Sequence, residues 1–358
     1  MTRQRVEHRS SKFWIPAFVL LVHLLTVGRA AAEAPLAGAG ATFPAVLYQR
    51  WLTLYAAVDP SVRIEYQAIG SGGGMKRLME QSVAFGASDA PMSDEQMRAA
   101  KGGAILHVPS VLGAVVLIYN LPQATGTLKL TPEAIAGIFL GTITQWSDPQ
   151  LARSNPNLHL PDRTITVVHR SDGSGTTQIF TDYLSKISPE WKKKVGQGAT
   201  VMWPAGISAK RNEGAAELVK RTPGAIGYVE HTFALQNQIA YARVQNRSGK
   251  FIEPTLDSVG AAAKAMADPP SDFRVSLTDS AGPDAYPIAA FTWFLIYKNQ
   301  PNKDQGQKLV NFLWWMMHEG QKEAPALHYV PLPKEVVTRG EQTLAEVNCQ
   351  GQSLLTRK

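Results

Sequence analysis

The chain has 358 residues, with 36 Lys and Arg against 29 Asp and Glu, formally +7. Its 44% hydrophobic and 18% charged content belongs to a folded protein, and its length suggests two domains. The lone cysteine, Cys349, excludes an intramolecular disulfide and Cys-rich zinc or iron–sulfur centres, while the charge suggests an acidic partner: nucleic acid, anionic lipid or a small anion.

Much of that charge sits at the start. Arg3, Arg5, Arg9 and Lys12 precede an apolar run from Phe13 to Val27, and Ala30, Ala31 and Ala32 follow. This pattern predicts a secretory signal peptide over residues 1–32, cleaved after Ala32, and a periplasmic mature protein. Pro16, His23 and the shortness of the run argue against a membrane anchor. No Cys near the cleavage point supports a lipid anchor. Without the leader the balance is 31 basic against 28 acidic residues, or +3 over 326 residues. Nucleic acid is not expected as a partner.

The mature chain opens with Gly38–Pro44, followed by a helix on which Leu47, Tyr48, Trp51, Leu54 and Tyr55 recur. Pro44 suits the first helical position. A strand over Ile64–Ile69 leads into Gly70–Gly74 and a helix marked by Met75, Leu78, Met79 and Val83. The next strand ends at Ser88 and Asp89, and Ser93 caps a helix. Val108–Leu121 reads as a long buried strand. Thr131–Trp146 reads as a helix plus a turn, with Trp146 in the core or at the rim. Pro-rich stretches at Asn155–Asp162 and around Pro269 and Pro270 read as surface loops. Thr164–Val168 is a strand, His169–Thr177 a loop, and Ile179, Phe180, Tyr183 and Leu184 lie on the following helix. Lys210–Gly214 reads as a solvated helix start capped by Asn212. Ile288–Tyr297 is a second long buried strand. Strands alternating with helices indicate α/β architecture.

Three segments share one design: Gly38–Pro44, Gly70–Gly74 and His169–Thr177. Each is a Gly-bearing loop with a hydroxyl residue at a helix N-terminus, where free N–H groups and the helix dipole attract an anion. Any one alone is an ordinary N-cap. A cap requires neither the preceding Arg170 nor three consecutive glycines. Nucleotide motifs fail: the fingerprint beginning at Gly70 meets Met75 where its last Gly should stand, and no P-loop occurs. The anion is therefore small and has no base to be read.

Asp89 is misplaced among anion donors unless the anion carries a proton. Phosphate offers a P–OH at neutral pH, and sulfate does not, so a carboxylate would reject sulfate. Taken alone, Asp89 is also an ordinary turn residue. Arg170, three helix termini and Asp89 sum to about +1.5, suited to a mono- or dianion.

The strings GAGATFPAVLYQRW, YQAIGSGGG, FGASDAPMSD, HRSDGSGTT, GAIGYVE and AYPIAAFTWFLIY closely resemble the periplasmic phosphate-binding proteins of bacterial ABC transporters. The likeness runs from about Leu36 to about Val337. It implies a two-lobed periplasmic binding protein fold, each lobe a mixed sheet flanked by helices, with two crossover hinge segments and the ligand cleft between the lobes. Lobe I would be residues 33–120 plus 288–358, and lobe II residues 121–287. The resemblance implies that Thr42 and Phe43 (the latter by its backbone N–H), Ser71, Asp89, Arg170, Ser174, Gly175 and Thr176 bind phosphate. Asp172 would hold Arg170. Gly72 and His169 depart from members that carry a second Ser and a second Arg, and His169 would weaken the local positive field. The tail after Val337 matches nothing in the family. The implied partners are inorganic phosphate and the permease subunits of an importer; the implied protein is a monomer without cofactor or metal.

Two alternatives stay open. An exported phosphatase or hydrolase would use the same oxyanion site, with Asp89 and Ser174 as base and nucleophile. No GxSxG occurs, and His107, His159, His169, His231, His318 and His328 show no paired metal spacing, so no enzyme is expected. A binding protein for sulfate, molybdate or arsenate is the other; Asp89 opposes the unprotonated anions.

Overall fold

The computed structural model describes residues 1–2, 35–266, 270 and 272–356. All of the predicted leader beyond Met1 and Thr2 lies outside the described residues, as does Pro269 of the predicted loop. The chain divides into Met1–Ala34 and Pro35–Lys358, and every element below belongs to the second unit.

In chain order these are β1 (Leu36–Gly40), α1 (Ala45–Val58), β2 (Ile64–Ala68), α2 (Ser71–Met79), β3 (Phe85–Ser88), α3 (Asp94–Arg98), β4 (Ile105–Tyr119), β5 (Lys129–Leu130), α4 (Pro132–Leu140) and α5 (Pro149–Ser154). There follow β6 (Thr166–Arg170), α6 (Gly175–Ile187), α7 (Pro189–Lys194), β7 (Ile207–Ala209), α8 (Arg211–Arg221), β8 (Ala225–Glu230), α9 (His231–Gln236), β9 (Arg243–Gln245), β10 (Phe251–Ile252) and α10 (Leu256–Lys264). Last come β11 (Ala289–Tyr297), α11 (Lys303–Met317), two short 3-10 turns, α12 (Lys334–Ala345), β12 (Asn348–Cys349) and β13 (Gln352–Ser353).

The main sheet has the order β2-β1-β3-β11-β4-β8-β6-β7. It is mixed. Strand β1 runs parallel to β2 and β3, and β6 runs parallel to β7 and β8. The long strands β4 and β11 lie antiparallel between these triplets. Strand β4 serves both halves: Ile105–Ala114 pairs with β11 and Val115–Tyr119 with β8. Both long strands are almost wholly buried, as their unbroken apolar runs predict for strands covered on both faces.

Parallel pairing brings equivalent chain ends together. The C-terminal ends of β1, β2 and β3 lead into Thr42, Gly70 and Asp89, three predicted anion-loop residues that are far apart in sequence. The ends of β6, β7 and β8 gather Arg170, the start of α8 and Glu230 in the same way. Ligands of open α/β sheets bind outside such carboxyl ends.

Helix α1 is fixed by the face the sequence predicts, with Leu47, Tyr48, Trp51 and Tyr55 buried. The Tyr48 ring stacks on Phe294 at 4.5 Å, and Trp51 Nε1 donates to the Gly320 carbonyl at 2.6 Å. Trp146 is core, its Nε1 donating to the Gly224 carbonyl at 2.9 Å. Some boundaries differ from expectation. The second helix stops at Met79 rather than reaching Val83, because Gln81 reverses the chain at φ 58°. Pro44 stands one position before α1. Strand β6 begins later than predicted and ends on Arg170, which is therefore held by the sheet and not by a loop.

Helix α2 lies so close to β1 that a Cβ at Gly74 would fall 2.4 Å from Gly40 Cα and 2.5 Å from the Ala39 carbonyl oxygen. Backbone cannot swing aside as a side chain can. Gly74→Ala is expected to destabilise the fold by about 1–3 kcal/mol through overpacking, seen as a lower urea midpoint; an unchanged midpoint would refute this close approach.

Candidate anion-binding site

The first half of the site comes from β1–β3. Thr42, Phe43 and Ser71 are buried at the starts of α1 and α2. The Phe43 carbonyl accepts from the Tyr329 hydroxyl at 2.7 Å, which anchors the turn. Ser71 Oγ accepts from the Asp89 N–H at 3.2 Å and donates to Asp89 Oδ2 at 3.3 Å. Thr292 Oγ1 lies 3.0 Å from Asp89 Oδ1 and 3.1 Å from the Ser88 carbonyl. Its single proton serves one acceptor at a time.

The second half comes from β6 and α6. The buried Arg170 guanidinium meets Asp172 in a bidentate pair, Nε to Oδ1 at 2.8 Å and Nη2 to Oδ2 at 2.6 Å. Arg170 Nη1 donates to Asn212 Oδ1 at 3.2 Å. Asp172 Oδ1 also accepts from the Arg211 N–H at 2.9 Å. The Arg170 N–H donates to the Tyr228 hydroxyl, so the base of the side chain is fixed as well. Ser174 caps α6 by accepting from the Thr177 N–H at 3.0 Å. Gly175 and Thr176 are the next two residues. The amides of Phe43, Ser71, Gly175 and Thr176 sit in or just before first helical turns, where the helix itself offers no acceptor.

The halves meet. A Cβ at Gly175 would lie 2.3 Å from Ser71 Oγ and 2.5 Å from Asp89 Oδ2, so only glycine lets α6 approach this near. The Gly72 N–H donates to the Gly173 carbonyl at 2.9 Å. The structure thus brings together Thr42, Phe43, Ser71, Asp89, Arg170, Asp172, Ser174, Gly175 and Thr176. An open groove of about 820 Å³ between α1, α11 and α12, lined by Tyr55, Trp314 and Trp315, lies away from them.

The charge differs from the sequence-based sum. That sum counted Arg170 but not Asp172, which neutralises it. The total falls to about +0.5 when three helix termini and an ionised Asp89 are included. The cluster therefore presents oriented dipoles and hydroxyls rather than a large net charge. Asp89 is held up to about 7, mainly by burial, against the opposing pull of Thr292, Arg170 and Ser71. Glu230, also buried, is pushed up to about 8. Asp172 is lowered by Arg170 and the Arg211 N–H despite its partial burial.

His169 lies outside the cluster. Its ring stacks on Trp203 at 5.1 Å, and burial lowers its pKa. Asn212 is not the cap of α8 but its second residue, and it is fully buried beside Arg170. Its neighbours Lys210, Arg211 and Glu213 are exposed, which is why the run reads as solvated. Thr292, Tyr228 and Tyr329 were also missed, since each sits in an apolar or aromatic stretch that reads as core. Among the described residues no group of three or more His, Cys, Asp or Glu could hold a metal.

Residues 26–318 match the PBP superfamily domain. The phosphate-binding protein PstS of Pasteurella multocida is 40% identical over 325 residues, which span 90% of this chain and 93% of that protein. The phosphate-binding protein PstS of Xylella fastidiosa (strain Temecula1) is 42% identical over 308 residues, spanning 86% and 84%. Among solved structures, the phosphate binding protein of Stenotrophomonas maltophilia aligns with a TM-score of 0.70 at 23% identity, over 90% of this chain and 99% of that one. The architecture is the two-lobed α/β fold of periplasmic binding proteins.

A carboxyl raised from 3.8 to about 7 holds its proton more tightly folded than unfolded. Its stabilising contribution is complete below about pH 4 and is lost as pH rises through about 7. Buried His107 and His231, lowered to about 4, work in the opposite direction below about pH 6.5. They are common to wild type and variant and cancel in the comparison. In phosphate-free buffer, Asp89→Asn should therefore gain stability relative to wild type as pH rises from about 4 to 8. A difference in melting temperature that stays constant over this range would contradict the assignment.

Proposed function

Because this chain belongs to the family of phosphate-binding proteins, we propose that it captures one inorganic phosphate ion and delivers it to the permease subunits of an ABC importer. The reading places it in the periplasm after removal of residues 1–32, as a monomer with no nucleic-acid partner and no cofactor. Lobe I comprises residues 33–120 and 288–358, and lobe II residues 121–287. The switch of β4 from β11 to β8 after Ala114 supports a crossing on that strand, with Val115–Tyr119 already paired to a lobe II strand ahead of residue 120.

In this reading phosphate lies between the starts of α1, α2 and α6. The amides of Phe43, Ser71, Gly175 and Thr176 and the hydroxyls of Thr42, Ser174 and Thr176 donate to its oxygens, while the Ser71 hydroxyl stays on Asp89. Arg170 donates as well. Asp172 occupies two of its five N–H groups and Asn212 a third, which leaves two for the anion. Asp172 holds the guanidinium plane in place for that contact.

The observation that carries the proposal is Asp89, a buried carboxylate facing the N-terminus of α6. Ionised, it accepts from a P–OH. Sulfate brings no proton at neutral pH and would set an oxygen against the carboxylate. The donors are fixed before the ligand arrives, so little ordering is needed on binding. The role is binding, not catalysis: the relatives are named for binding.

Calorimetry of the mature protein at pH 8 should show one phosphate site, with sulfate a poor competitor. Sulfate should compete better as pH falls through about 7 and Asp89 gains its own proton. Equal competition at pH 8 would remove Asp89 from its role, and steady release of phosphate from a phosphomonoester would replace binding by hydrolysis. Arg170→Ala should weaken phosphate binding by about 3 kcal/mol, the scale of a buried charge-assisted contact. Unchanged affinity in the same titration would exclude Arg170 as a ligand.

A further inference from the structure

We infer that Asn212 is a positioning residue of the site, one that sets the direction of the Thr42 and Thr176 hydroxyls so that both donate to the anion. The inference rests on the phosphate reading of the cleft and adds a residue to it.

The orientation of the Asn212 amide follows from its partners. Its Oδ1 faces Arg170 Nη1 at 3.2 Å and the Glu230 N–H at 3.4 Å. Both are donors without acceptor capacity, so the oxygen must stand on that side. The amide nitrogen then points the other way, to Thr42 Oγ1 at 3.0 Å and Thr176 Oγ1 at 3.4 Å. Its two protons serve these two oxygens. A threonine oxygen that accepts from Asn212 keeps its own proton for another acceptor. Among the described residues neither hydroxyl has a protein acceptor for it, and the place left is the cleft.

One buried side chain thus links the start of α1, the start of α6 and the Arg170 fork. Asn212 is completely buried, so its loss would leave these groups without a direct bulk-solvent partner. Its position also explains why the start of α8 packs inward while the neighbouring charges remain in solvent.

Asn212→Asp and Asn212→Ala separate polarity from packing. An aspartate at this position is nearly the same shape but can only accept, so it would turn both hydroxyls away from the anion. The double-mutant cycle with Thr42→Val tests whether Asn212 acts through the hydroxyl. Phosphate titrations should show at least a tenfold loss for Asn212→Ala and a larger loss for Asn212→Asp. The loss from Asn212→Ala should shrink severalfold in the Thr42→Val background. Melting curves confirm that the variants compared are folded; should Asn212→Ala not fold, the cycle is run with Asn212→Asp. An affinity within threefold of wild type for the folded variant, or equal losses with and without the Thr42 hydroxyl, would overturn the inference. Failure of the wild type to bind phosphate would instead defeat the phosphate reading itself, so the two outcomes are distinct.

Discussion

A carboxylate buried within an anion site is the constraint that the rest of the site answers to. Ionised Asp89 is costly in a dry interior, and its pKa near 7 records that cost. Ser71, Thr292 and the start of α6 reduce it but do not remove it. A proton-bearing ligand oxygen would supply the missing donor. Under the proposed function, the same carboxylate that is costly in the empty site would give it preference for a protonated anion.

Topology explains how so many donors reach one point. Two parallel triplets, β1–β3 and β6–β8, run in opposite directions, and their C-terminal ends face each other across the middle of β4. Helix starts follow those ends, and β4 joins the triplets as a shared strand. The polar contacts across the gap are short and specific: the Gly72 amide to the Gly173 carbonyl, and Asn212 to Thr42. The pairing of Arg170 with Asp172 leaves little net charge on the fork, so under the proposed function geometry, more than charge, would do the recognising. An arginine fork neutralised by a neighbour still presents aligned N–H groups, and it does so without drawing in every passing anion.

The core and the loops were legible in the sequence for clear reasons. The unbroken apolar runs of β4 and β11 need burial on both faces, and the residues of α1 repeat at helical spacing. The anion loops carry glycine and hydroxyl residues whose chemistry is local, so the three helix starts could be picked out without coordinates, and the family resemblance then named Thr42, Ser71, Ser174 and Thr176 within them. What escaped was the support around them. Asn212 sits in a charged run, and Thr292 within an apolar strand. Tyr329 follows a short 3-10 turn near the C-terminus. Each acts through a contact distant in sequence, from 42 residues for Asn212 with Arg170 to 286 for Tyr329 with Phe43. No local pattern reports such a pair. The charge sum failed for a related reason, because it gave Arg170 to the ligand before asking what Asp172 does.

The central claim is that the Asp89 carboxylate selects a protonated anion. Phosphate and sulfate titrations of Asp89→Asn beside wild type at pH 8 test it most directly, since asparagine keeps the shape but can also donate. The account predicts that wild type discriminates strongly between the two anions and that the variant loses most of that preference by admitting sulfate. An Asp89→Asn protein that still rejects sulfate as firmly as wild type would contradict it.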